Sequence, residues 1–158
     1  MKKWILFISI IIASGLVGVT VYNTIIDSKS WGFDIPNSIQ TARDYYKHVD
    51  PRSFYLIFGP ANQLLMLLAI IFFWRDSIKI RTYLIASFVL YALIILLTLV
   101  YFIPRDLVLF TRPISNDLEN IRAASTQWSA VNWVRTLLGL AGILCSIKAL
   151  DTYYKLGK

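Results

Sequence analysis

The sequence predicts an all-α membrane protein, a four-transmembrane-helix bundle forming a single domain over residues 1–158. Three observations carry that prediction. Of the 158 residues, 57% are hydrophobic, and the mean hydropathy is +0.60. The apolar residues gather into four runs of about twenty, the length needed to cross a hydrocarbon core of roughly 30 Å. The net charge of +7 is unevenly spread along the chain. With the amino terminus inside, the short pieces 1–3, 75–81 and 148–158 hold eight Lys or Arg against Asp76 and Asp151. The two longer external pieces each balance to zero, and Arg135 supplies the last positive charge. That is the positive-inside pattern. It places both termini in the cytoplasm of a bacterial-type inner or plasma membrane. The basic balance therefore speaks for anionic lipid headgroups as partners and against nucleic acid.

The first span is expected at about residues 4–23. Lys2-Lys3, the run Trp4–Ile12 and the small residues Ala13-Ser14-Gly15 could pass for a cleaved signal peptide. Hydrophobicity continues through Leu16, Val17, Val19 and Val21, however, which favours an uncleaved helix. Ser14 and Gly18 have the spacing that permits a close helix approach. Asn23 sits near the external end. In the following loop Trp31-Gly32 suits an interfacial turn and Pro36-Asn37 punctuates the chain. Ile39, Ala42, Tyr45 or Tyr46, and Val49 then recur at helical spacing, predicting a short amphipathic helix over the external mouth.

The second span, about 54–74, carries Pro60, a kink site, and places Asn62 and Met66 on one face. A short basic turn, Ser77–Arg81, makes the second and third spans antiparallel neighbours. The third span, about 82–103, has a stripe of Ser87, Tyr91, Ile94, Thr98, Tyr101 and Arg105. Pro104 is expected to stop or bend it, leaving an irregular segment from Leu107. Ser115-Asn116 with Glu119 reads as a helix start of capping-box type. From there the fourth helix extends outside the membrane before spanning it over about 128–148.

That fourth helix holds the candidate site. Trp128, Asn132, Arg135, Gly139, Gly142 and Ser146 follow at steps of four, three, four, three and four, one face of an α-helix. Arg135 lies roughly 10 Å inside the span, counted from Trp128 at about 1.5 Å per residue. A charge in hydrocarbon costs about 2.5–3.5 kcal/mol on insertion scales, so it faces protein or a polar cavity. The expectation is a polar pocket, open to the external side, lined by Trp128, Asn132, Arg135, Tyr101, Asn62 and Asn23; Arg105 and Asp106, just beyond Pro104, are further candidates. Cys145 and His48 are the only residues of their types, so no disulfide framework or Cys/His metal set can be built. A haem on one axial histidine has nothing else to support it.

Tyr101-Phe102-Ile103-Pro104-Arg105-Asp106 followed by Trp128-x-x-x-Asn132-x-x-Arg135 resembles the anthrone oxygenase-like family of small four-helix membrane proteins. Asp50-Pro51-Arg52-Ser53-Phe54 is similar to that family's approach to its second helix. Arg105 and Asp106 depart from the Leu and Asn common there. The resemblance implies oxygen insertion into an electron-rich phenol with no metal or flavin. Arg135 would then stabilise an enolate and Asn132 hydrogen-bond it, while Trp128 and Trp133 stack on the ring. The base would be Asp106 or His48.

Three readings follow. Arg135 contacts a lipid-soluble small molecule or a lipid headgroup; or the chain is a cofactor-free oxygenase of anthrone-type phenols; or Arg135 only locks helix packing by pairing with Asp106. A transporter is disfavoured, because there is no inverted repeat. The sequence sets no oligomeric state.

Overall fold

The structure, a computed structural model, describes residues 2–49, 51–114 and 118–157. Those residues are helical nearly throughout. Helix α1 (Lys2–Tyr22) passes through a π-helical turn (Asn23–Asp27) into α2 (Ser28–Gly32), making one rod with no proline before Pro36. Helix α3 (Asn37–Tyr46) follows, then α4 (Arg52–Phe73), which keeps Pro60 within it. Helix α5 (Ile78–Leu97) runs through a second π-helical turn (Thr98–Phe102) into α6 (Ile103–Phe110). Helix α7 (Leu118–Lys155) is 38 residues long, about 57 Å at 1.5 Å per residue.

Four of these rods are long and apolar enough to cross a membrane: Lys2–Gly32, Arg52–Phe73, Ile78–Phe110 and Leu118–Lys155. Their outward faces leave residues such as Ile11, Leu56, Leu64, Ile71, Leu96, Leu137 and Leu144 exposed. A belt of that size would drive aggregation in water and is what an acyl-chain solvent requires. The chain is an integral membrane protein. Helix α7 packs against α5 and α1, and α4 closes the ring against α1 and α5.

Three expectations need correction. Pro104 does not stop the third rod. The wide π turn just before it absorbs the missing N–H, and the helix continues to Phe110. The segment from Leu107 is accordingly helical at first. Ser14 and Gly18 face outward, and no part of the chain lies near a side chain built on Gly18. Ala13 and Val17 point inward instead, and Val17 seats against Gly139. The helix start proposed at Ser115-Asn116 lies outside the described residues; α7 is already formed at Leu118.

Two apolar cores result. The one nearer Lys2 contains Leu6, Ala13, Met66, Phe73, Leu84, Tyr91, Ile143 and Tyr153. There the Lys2 ammonium pairs with Asp76 and lies 5.2 Å from the Phe73 ring centre and 5.5 Å from that of Tyr153. The core at the opposite, far end contains Trp31, Ile39, Phe102, Leu109, Ile121 and Trp128. Helix α3 covers it. Ile39 is fully buried, and the Arg43 guanidinium donates to the Leu109 carbonyl (2.7 Å), satisfying a C-terminal carbonyl of α6.

Candidate functional site

Between the two cores lies a polar layer, and the predicted face of α7 supplies one wall of it. Trp128, Asn132, Arg135, Gly139, Gly142 and Ser146 are all buried. The small residues come first in explaining the geometry. A methyl group on Gly139 would lie 2.6 Å from Val17, and one on Gly142 only 2.5 Å from the Tyr91 ring, so α7 is drawn tightly against α1 and α5 at that level. The larger residues of the same stripe then fill the wider space toward the far end.

Arg135 is 7% exposed and points inward, among aromatic rings. Its guanidinium carbon is 4.3 Å from the Phe102 ring centre, 5.4 Å from Tyr55 and 5.6 Å from Trp128. Such contacts contribute about 0.5–2 kcal/mol each, more when dry. No carboxylate pairs with it within 4.0 Å among the described residues, and its Nε, fully buried, has no acceptor. Asp106 acts on it only through space, because that carboxylate accepts the Trp128 indole N–H at 2.9 Å.

Asn132 is fully buried beside it. Its Nδ2 donates to the Thr20 carbonyl (3.0 Å), just before the π turn of the first rod, and to the Thr24 hydroxyl (2.5 Å), within it. Its Oδ1 has no donor. Thus two adjacent residues on one helix face each leave a buried polar atom unmatched, one a donor and one an acceptor. Buried polar atoms are normally paired, and an orphan costs about 1–3 kcal/mol. Gln63 Oε1 and the Tyr91 hydroxyl, elsewhere in the bundle, are unmatched in the same way.

Tyr55, on the first turn of α4, closes the box. Its hydroxyl is 3.2 Å from the Asn23 side chain. The amide orientation that satisfies both ends of Asn23 accepts from Tyr55 and donates to the Val19 carbonyl (2.8 Å) and to Asp27 (3.3 Å).

The other expected residues are placed as follows. Asn23 touches the box through Tyr55. Asn62 accepts from Ser9 at 2.7 Å, about two turns down α4 from Tyr55, in the lower core and away from Arg135. Tyr101 and Arg105 are half-buried, Tyr101 against the far core. The Arg105 guanidinium stacks 3.4 Å from the Tyr101 ring centre and holds the Gln127 side-chain oxygen at 2.8 Å, and Tyr101 donates to the Gln127 carbonyl. His48 is exposed beyond α3, and Trp133 is on the outward face. Tyr55 and Phe102 were missed. Both look like ordinary apolar-helix residues in sequence, and only the Phe102 neighbourhood carries a signal, Pro104. Two open clefts lie at the far end, and neither is lined by Arg135 or Asn132.

A family model described as anthrone oxygenase matches residues 52–145, more than half of the chain. The chain belongs to the anthrone oxygenase family. No curated protein and no solved structure matches it. The matched segment holds Tyr55, Phe102, Asp106, Trp128, Asn132 and Arg135. The remaining members of the polar layer, Thr20, Asn23 and Thr24, come from the rod that precedes it. As a member of the anthrone oxygenase family, the chain thus builds its buried arginine box mainly from the family's own segment.

Proposed function

We propose that this anthrone oxygenase family member binds a lipid-soluble aromatic hydroxy compound as its enolate or phenolate, oxyanion against Arg135, and oxygenates it. The observation that carries the reading is the dry guanidinium whose Nε has no acceptor, ringed by Phe102, Tyr55 and Trp128. A desolvated cation is the strongest available stabiliser of a planar oxyanion, and the rings accept an aromatic body. The Asn132 Oδ1 accepts from a second hydroxyl of the same compound.

In the oxygenation step Asp106, steadied by the Trp128 N–H, takes the proton that forms the carbanion. The carbanion gives one electron to O2, and the radical pair joins as a peroxide. Loss of water then converts the original CH2 to C=O, so one oxygen atom stays in the product and the other leaves as water. Dioxygen is the oxidant throughout. The compound enters from the surrounding acyl chains, its natural solvent. The near end faces the cytoplasm, following the Lys/Arg excess there.

Binding tests the reading first. Tryptophan fluorescence, to which Trp128 contributes, is to be followed on titrating detergent-solubilised protein with an anthrone-type phenol and with its O-methyl ether. The phenol should bind at least ten-fold more tightly than the ether, and Arg135→Met should erase the difference. Equal affinity for both compounds would overturn the assignment of an oxyanion site.

A further inference from the structure

The far end carries two clefts of about 430 and 420 Å³ that share Gly32, Phe33, Ser125 and Thr126, so they form one continuous groove between α2 and α7. Arg122, Asp34 and Ile35 complete the upper part; Ser28, Lys29, Ser129, Ala130 and Trp133 complete the lower part. The depth of this groove follows from helix geometry. Counting about 30 Å of hydrocarbon up from Lys148 at 1.5 Å per residue puts the boundary near Trp128. Trp133 and Ala130 then lie at acyl-chain level or at its edge. Ser125, Thr126 and Arg122 stand above it, in the headgroup zone, together with Lys29 and Gly32.

The chemistry changes at the same height. Trp133 is 45% exposed in the lower part, and Phe33, 89% exposed, stands on the rim. Lys29 and Arg122 are exposed, and neither side chain makes an ion pair or a hydrogen bond among the described residues. The carboxylate of Asp34, which also lines the groove, is engaged by the Asn37 amide at 3.0 Å. Ser125, Thr126 and Ser129 also line the groove; the Thr126 hydroxyl donates to the Arg122 carbonyl (3.1 Å) and that of Ser129 accepts from Ser28 (3.1 Å). The Ser125 hydroxyl sits so close to Gly32 that a side chain there would meet it at 3.2 Å.

We propose that this groove is a binding site for one glycerophospholipid of the leaflet it faces. The phosphate lies between Lys29 and Arg122 over the serine and threonine hydroxyls, and an acyl chain runs down past Ala130 and Trp133. Two unpaired cations at phosphate height, above an aromatic wall at acyl height, match the polarity profile of a lipid. The site shares no residue with the Arg135 box and stands or falls independently of it.

Native mass spectrometry of the full chain in detergent tests it. The probes are palmitoyl-oleoyl phosphatidylglycerol, the matching phosphatidylethanolamine, and the diacylglycerol with the same chains and no phosphate. Expected are one-to-one adducts with both phospholipids, at least ten-fold more abundant than with the diacylglycerol. The Lys29→Gln/Arg122→Gln double variant should lose at least ten-fold, while Lys148→Gln/Lys155→Gln, with the same charge change at the other end, should retain binding. Equal binding of diacylglycerol, adducts confined to phosphatidylglycerol, full binding by the first double variant, or equal loss in the second would each overturn the proposal.

Discussion

Replacing Arg135 with Met should leave the fold as stable as before, or more stable, while removing ligand binding. The magnitude follows from its surroundings. Desolvating the charge at this depth costs about 2.5–3.5 kcal/mol on insertion scales. Three ring contacts at 4.3, 5.4 and 5.6 Å return about 0.5–2 kcal/mol each, the nearest most. The unsatisfied Nε takes back about 1–3 kcal/mol. At mid-range values the balance is adverse by about 1 kcal/mol, and methionine fills similar volume among the same rings. The expected change in unfolding free energy is therefore between about zero and 2 kcal/mol of stabilisation. A charge-assisted contact to a ligand is by contrast about 1.5–3 kcal/mol, so affinity for an anionic phenol should fall roughly 10- to 150-fold. Thermal unfolding in detergent, read by circular dichroism, measures the first quantity and Trp fluorescence titration the second. A loss of 3 kcal/mol or more in stability would refute the reasoning, because that is the signature of breaking a buried ion pair. Arg135 would then be a packing lock.

Other consequences are as specific. Gly142→Ala places a methyl against the Tyr91 ring and should destabilise by about 1–3 kcal/mol, with part recovered in the Gly142→Ala/Tyr91→Leu double variant, measured by thermal unfolding. Trp128→Phe keeps the ring but deprives Asp106 of its N–H donor. It should cost about 1.5–3 kcal/mol and lower oxygenation more than it lowers phenol binding, which oxygen-electrode and titration data separate. Tyr46, on α3, has its pKa raised above the ordinary 10.0, chiefly by burial and next by the charge of Asp27. The unfolded chain therefore loses this proton first. Stability from this group is present below pH 10 and is lost as pH rises beyond it, and Tyr46→Phe should flatten that alkaline part of the unfolding profile.

What the sequence revealed depended on periodicity. The α7 stripe was legible because Trp128, Asn132, Arg135, Gly139, Gly142 and Ser146 keep one helical face, and a charge in an apolar run has one cheap direction to point. The four rods were legible for the same reason, by length and hydropathy. The residues that meet Arg135 from other helices were not. Tyr55 and Phe102 are common types in membrane helices, and their register depends on how α4 and the π turn at Thr98–Phe102 sit against α7. No local pattern encodes a π turn, so Pro104 reads as a stop or a bend, and the sequence does not say that the widened turn before it carries the helix through. Asn62 shows the converse error. A buried amide was rightly expected to seek a partner, but Ser9 at 2.7 Å satisfies it within the lower core, two turns from the box.

The most direct test is turnover of an anthrone-type phenol under 18O2 by the purified protein and by Arg135→Met, with the product analysed by mass spectrometry. One 18O atom per product molecule is expected, formed by the wild-type chain at least a hundred-fold faster than by the variant. Product formation no faster with the wild-type chain than with Arg135→Met would contradict it.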